Sequence, residues 1–234
     1  MSRITFKKVL VESIRGVIEW AITPLPGPPG YALRWLYYKT ILKELGWGTF
    51  IDVGVRIDNP SNVAIGRNAW IDRNVFLIGA VNDPIRQRRG RWIRRDENIE
   101  GVLRIGNETH IGPNCVLCGL AGLSIGSQIG VASGSRIYSF SHHYQSLDTG
   151  EVTAFTPRAP EEDQFMLAGP VSLEDRCGVG MNCAILPGAV LARDTFLSAG
   201  SVLGSVTEPG WVYLGQPARR RWRRDQLFEP GKKA

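Results

Sequence analysis

The stretch LEDRCG VGMNCA ILPGAV LARDTF LSAGSV LGSV, residues 173–206, opens on an aliphatic side chain every six positions: Leu173, Val179, Ile185, Leu191, Leu197 and Leu203. Four residues after each of the first five stands a small residue: Cys177, Cys183, Ala189, Thr195 and Ser201. The same frame runs back through Ile125, Val131 and Ile137, then Ile105, Ile111 and Leu117, then Ile65, Ile71 and Leu77, and begins at Ile51 and Ile57. IGRNAW, IGNETH, IGPNCV and IGSQIG are near-copies of one hexapeptide. A helix wants apolar spacings of three and four, and an ordinary half-buried strand wants strict alternation. A period of six fits neither. It suits a triangular coil, each hexapeptide a short strand plus a corner, with the aliphatic and the small residue inward. Gly, Asn and Asp are expected at the corners, where positive φ is needed. Stacked coils then lie about 4.8 Å apart, the ordinary inter-strand distance.

This pattern resembles the left-handed parallel β-helix of the hexapeptide-repeat transferases, so the expected fold class is all-β. The departures from the period mark the domain plan. The frame vanishes over about 79–102 and again over about 143–170, and long insertions in a compact scaffold are usually functional. The β-helix is expected over 49–215, with a helical segment before it (1–48) and a basic tail after it (216–234). In the first segment Phe6, Val9, Leu10, Ile14, Val17, Ile18, Ala21 and Ile22 recur at helical spacing. The prolines between Pro24 and Gly30 break that helix, and Tyr31–Leu45 reads as a second. Two readings of this pair stand side by side. It caps the open edge of the first coil, or it anchors the protein at a membrane surface.

Composition narrows the classes. The chain of 234 residues is 43% hydrophobic and 21% charged, which excludes wholesale disorder. Four cysteines in no zinc-finger frame fit a reducing compartment. The prolines interrupt the longest charge-free N-terminal stretch, which argues against a membrane span, and no signal-peptide pattern is seen. The expected location is therefore cytoplasmic, at the inner face of the cell membrane if the helices anchor it. The net charge of +6 is concentrated after Pro217, where Arg219, Arg220, Arg221, Arg223, Arg224, Lys232 and Lys233 face only Asp225 and Glu229. A second cluster holds Arg86, Arg88, Arg89, Arg91, Arg94 and Arg95. Such patches attract phosphates, acidic glycans or anionic lipid. No stacking platform or recognition helix accompanies them, so nucleic acid is not an expected partner.

Three histidines are present, His110, His142 and His143. His142 ends the hexapeptide IYSFSH and, by strand alternation, is expected to point outward at the lip of the second insertion. An accessible imidazole titrating near neutrality can take a proton from a hydroxyl. The segment Ile137-Tyr-Ser-Phe-Ser-His142 is similar to the I-Y-x-x-x-H segment of the sugar O-acetyltransferases of the maltose, galactoside and colanic-acid types. The resemblance covers roughly residues 50 to 220 and is most specific from Leu173 to Arg219. It implies acetyl-CoA as acyl donor, a sugar or glycan acceptor, no metal, and a homotrimer whose grooves lie between subunits. His142 matches the family's catalytic base, and His143, one residue on, is its rival. By position, Met181, Ala199, Gly200, Ser201, Gly204 and Ser205 are implied along the pantetheine and phosphate path, and Gly215, Pro217 and Arg219 near the adenosine end. Three positions depart from the family pattern: Gly178 stands for a tryptophan, Ser205 for a lysine and Gln216 for an asparagine.

The expected activity is therefore an acetyl-CoA-dependent O-acetyltransferase acting on a sugar hydroxyl of a polysaccharide or lipid-linked glycan precursor. N-acetyl transfer, an acyl-carrier-protein donor and a non-catalytic β-helix module are the alternatives. A zinc site built on the three histidines is disfavoured, because adjacent residues of a strand point oppositely. Cys115 and Cys118 form a C-x-x-C with no second pair, which reads as packed thiols. No Walker loop, dinucleotide fingerprint or nucleophile elbow is present.

Overall fold

The computed structural model describes residues 6–80, 89–99 and 101–226. Two helices come first, α1 (Phe6–Ile22) and α2 (Gly27–Ile41), and short strands follow. The coil strands form three parallel sheets, the faces of a triangular prism wound as a left-handed β-helix. The first face stacks Glu44–Leu45, Val63–Ile65, Leu103–Ile105, Leu123–Ile125, Val171–Leu173 and Val190–Leu191. The second begins Phe50–Ile51, Trp70–Ile71, His110–Ile111, Gly130–Val131, Gly178–Val179 and Phe196–Leu197. The third stacks Arg56–Asp58, Phe76–Ile78, Val116–Cys118, Arg136–Tyr138, Ala184–Ile185 and Val202–Leu203.

Register explains the period. Ile65, Ile105, Ile125, Leu173 and Leu191 pair successively across the first face, so the aliphatics of the sequence repeat form one buried interior column. Equivalent columns stand on the other two faces. On two of the three edges the third residue after the aliphatic turns the corner at positive φ, as at Gly54, Asn74, Asn114, Gly134, Asn182 and Gly200 on the edge from the second face to the third. Those types adopt the left-handed region at little cost. The edge from the first face to the second follows it at Gly48, Asn68 and Asp194 and departs from it at Glu108, Gln128 and Arg176, with φ of 54°, 59° and 61°. Side-chain ties accompany the unfavourable residues. Gln128 Nε2 donates to Glu108 Oε2 at 3.0 Å, and Arg176 donates twice to Asp194, at 2.7 and 2.6 Å.

The helices close the open end by imitating a missing coil. Within the stack, a coil's backbone N–H groups donate to the next coil: Gly46 to Ile65 O, Asp52 to Ile71 O and Arg56 to Val75 O, at 2.8–3.0 Å. The first coil has no predecessor, and its equivalent carbonyls are those of Leu45, Ile51 and Val55. Side chains of α2 donate to all three: Lys39 Nζ at 2.7 Å, Arg34 Nε at 2.7 Å and Tyr38 OH at 3.4 Å. Trp35 Nε1 adds Gly46 O at 3.2 Å, and Arg15 of α1 adds Ile57 O at 2.6 Å. A bare sheet edge invites pairing with other chains, and here side-chain donors occupy it.

Boundaries moved at both ends. α2 starts earlier than the sequence pattern predicts, because Pro28 and Pro29 fall in its first turn, where an N–H has no helical acceptor. It stops at Ile41, and Leu45 is already a strand, so the first coil begins at Glu44 instead of residue 49. The C-terminal segment is not a simple tail. Trp211–Gly215 extends the second face, and Ala218–Arg223 pairs with it antiparallel, the two joined at the cis Gln216–Pro217 bond. Glu229, Lys232 and Lys233 lie outside the described residues.

Candidate functional site

Both insertions leave the same edge of the prism, between the third face and the first, two coils apart, and they meet. Gly90–Trp92 of the first pairs parallel with Phe165–Ala168 of the second, which pairs antiparallel with Phe140–His143. Ser139 marks the departure point: buried, its hydroxyl donates to Cys118 O and accepts from Ala121 N–H, both at 3.0 Å. Beneath the small sheet Phe140, Met166, Ala168 and Ala121 form a core of their own, with Trp92 and Leu120 packed against it.

This relocates the histidines. The chain leaves the coil at Ser139, so coil alternation does not extend to His142, which belongs to the insertion sheet. It is half-buried within the insertion. Its Nε2 lies 3.2 Å from Gln164 Oε1, with Phe140 and Phe155 edge-on at 5.8 and 6.4 Å. Gln164 is buried, and its Nε2 donates to Ala159 O at 2.5 Å, which fixes the amide so that Oε1 faces the histidine. His142 Nε2 is therefore the donor, and Nδ1 carries the lone pair. His143 is arranged oppositely. Its Nδ1 lies 2.6 Å from Gln145 O and 3.3 Å from Gln145 N; the shorter contact calls for a proton on Nδ1 and leaves Nε2 to accept, while the ring stacks on Tyr144 at 4.4 Å. His110 stands apart on the second face, beside Trp70 and Asp72. Among the described residues no three His, Cys, Asp or Glu side chains gather as a metal site would require.

The arginine cluster is largely occupied within the chain. Arg89 pairs with Glu151 at 3.0 Å, Arg91 with Asp148 at 2.6 Å, and Arg94 donates to Pro170 O at 2.8 Å. Arg95 lies over the Trp92 ring. These contacts tie the insertions together, so the cluster is not the free cationic patch that composition implies. Asp148 is thereby committed to Arg91. Arg86 and Arg88 lie outside the described residues.

The residues implied along a donor groove divide between two edges. Gly204 and Ser205 are exposed on the edge that carries the insertions, on later coils than His142. Met181, Ala199, Gly200 and the Gly215–Pro217 turn lie on the other edge of the third face. There Gly200 N–H donates to Met181 O at 2.8 Å, and Gln216 Nε2 donates to Gly200 O at 2.6 Å. Ser201 does not line a groove. It is buried, and its hydroxyl accepts from Gly215 N–H at 3.1 Å, holding the turn. Arg219 is exposed on the last strand, with no ion pair among the described residues. Its neighbour Arg220 is bound by Glu208 at 2.6 Å and lies over Trp211.

Gly178 removes less aromatic surface than its sequence implies. Phe196 pairs with it from the next coil, and the ring lies where a Cβ on Gly178 would stand. Gln164, Phe155 and Phe196 were not legible as site residues beforehand. The run Phe165-Met-Leu-Ala168 inside a polar insertion was the available signal for a strand behind the histidines.

No family model matches the chain. It is 22% identical over 200 residues to a 2,3,4,5-tetrahydropyridine-2,6-dicarboxylate N-succinyltransferase of Afipia carboxidovorans, covering 83% of this chain and 56% of that protein. The chain thus spans about half the length of the curated relatives it matches. The Bacillus cereus N-acyltransferase AntD, solved with dTDP and 3-hydroxybutyryl-CoA, gives a TM-score of 0.65 at 19% identity, over 82% of this chain and 88% of that one. A maltose O-acetyltransferase from Clostridium difficile 630 gives 0.55 at 15% identity, over 92% and 88%. In sequence and in fold alike, the likenesses of this hexapeptide-repeat β-helix are to acyltransferases.

Proposed function

We propose that the protein is an acetyl-CoA-dependent O-acetyltransferase acting on a sugar hydroxyl of a polysaccharide or lipid-linked glycan precursor on the cytoplasmic side. The observation that carries this reading is the histidine pair, held half-buried with defined tautomers on the edge that continues to Gly204 and Ser205. His142 takes the proton as the acceptor oxygen attacks the thioester carbonyl; the C–S bond breaks, and the thiolate leaves with that proton. Gln164 is a positioning residue: it bonds Nε2 and leaves Nδ1 to accept. His143 is the second reading, favoured by its Nδ1–Gln145 bond, which leaves Nε2 as the accepting atom.

The division of the donor residues between two edges bears on assembly. A rigid prism cannot bring Met181, Ala199 and Arg219 round to the edge that holds His142. A second subunit alongside supplies that edge, so the reading includes a cyclic homotrimer with sites between subunits. Arg219 suits the phosphates of the donor, being a guanidinium left exposed with no carboxylate partner among the described residues.

The test is an acceptor screen with acetyl-CoA, following free thiol and product mass. His142→Ala should lower kcat by about 10²–10⁴-fold with donor affinity little changed. A larger loss in His143→Ala selects the second reading; thiol release from neither sugar nor amine acceptors overturns both. Amine acceptors belong in the screen because the succinyltransferase relative and AntD transfer to nitrogen.

A further inference from the structure

α1 is turned inside out. Two of its charged residues, Arg15 and Glu19, face the protein, joined at 2.8 Å, with Arg15 on Ile57 O and Glu19 accepting from Tyr37 OH at 3.0 Å. Its apolar stripe faces away. Leu10, Ile14, Val17 and Ala21 follow helical spacing, and all are exposed, Leu10 by 50% and Val17 by 67%. Trp20, beside the stripe, is 80% exposed, and Trp47 in the first coil is 79% exposed. A helix of a soluble protein normally buries its apolar face. The fold does not need this one buried, because the coil edge is already closed by Arg15 and by α2.

Charge indicates what covers the stripe. Setting aside Arg15, Glu19, Arg34 and Lys39, which the cap engages, the first 43 residues still hold Arg3, Lys7, Lys8 and Lys43 against Glu12, and α1 opens Phe6-Lys-Lys-Val9. The stripe itself contains no acid. A cationic segment fits an anionic lipid surface, and it opposes a second copy of itself, which carries the same sign. Tryptophan favours the headgroup level of a bilayer, where its ring is apolar and its N–H wet. No described helix is long and apolar enough to cross a membrane. We propose that α1 lies in the plane of an anionic bilayer surface, with Leu10, Ile14, Val17 and Trp20 inserted.

Vesicle flotation tests this with the full chain. The probes are phosphatidylcholine vesicles, pure or with about 30% phosphatidylglycerol, the anionic component that basic residues recognise. Wild type should float with the mixed vesicles and lose much of that binding between about 50 mM and about 500 mM salt. The double variant Leu10→Glu, Val17→Glu alters only exposed positions, so its melting should match wild type while vesicle affinity falls at least about tenfold. Equal flotation of the variant, or no flotation of wild type on mixed vesicles, overturns the proposal. So does self-association without vesicles that the variant abolishes, which assigns the stripe to a second copy.

Discussion

Arg34→Met tests whether α2 stands in for a missing coil. Arg34 is fully buried, and its guanidinium reaches Ile51 O at 2.7 Å, Leu25 O at 2.6 Å and Ile22 O at 3.1 Å. Burial pulls its pKa below the usual value, with nearby Asp52 acting the other way. Bonds from a charged donor contribute about 1.5–3 kcal/mol each, so three amount to about 4.5–9 kcal/mol. Methionine removes them but also removes the desolvation cost of a buried ion, several kcal/mol. It also removes the Nη2 group, which lacks a partner. Methionine fills most of the volume and leaves the Ile51 and Leu25 carbonyls without that donor, while Ile22 O keeps Leu25 N–H, for a net loss of about 3 kcal/mol. At about 2–4 °C per kcal/mol for a chain of this size, Tm should fall by about 6–12 °C. Stacked repeats couple mainly to their neighbours, so the loss should begin in the first coil. Calorimetry gives the shift, and hydrogen exchange across residues 44–58 shows where it starts. A variant melting within about 1 °C of the parent, with unchanged exchange there, would refute the capping argument.

Burial pushes the Cys177 thiol and the Tyr37 phenol up to about 12, so both hold protons more tightly folded than unfolded. Stability is then fully present below their unfolded values and is lost as pH rises from about 9 towards about 12; a denaturation midpoint that rises over that window contradicts this. In the native state Cys177 should resist thiol reagents at mildly alkaline pH and react fully once unfolded, as counted by released chromophore. Glu108→Asn relieves a poor residue at φ 54° and should stabilise by about 0.5–1 kcal/mol in a urea melt, less whatever the Gln128 bond contributes. Arg219→Ala should weaken binding of acetyl-CoA more than of dephospho-CoA by calorimetric titration; equal weakening means that Arg219 does not read the 3′-phosphate.

The hexapeptide frame was legible because one rule repeats: each aliphatic of the period stands over its equivalent in the next coil, so Ile65, Ile105 and Ile125 state the architecture by spacing alone. Burial of α1's polar side was not legible, because helical spacing shows that a helix has two sides and not which is turned inward. Only the coil carbonyls, Ile57 O among them, decide that Arg15 faces the protein. The histidines show the same limit. Local sequence marked the strand that carries them, but alternation failed once Ser139 left the coil. The environment of His142 comes from Phe155 and Gln164, thirteen and twenty-two residues further on. Likewise the arginines of the first insertion read as a free patch until the tertiary fold set Arg89 and Arg91 against Glu151 and Asp148 of the second. Sequence determined what repeats locally, the coil and its corners. Contacts between segments far apart in the chain, which no period encodes, decided the cap and the histidine niche.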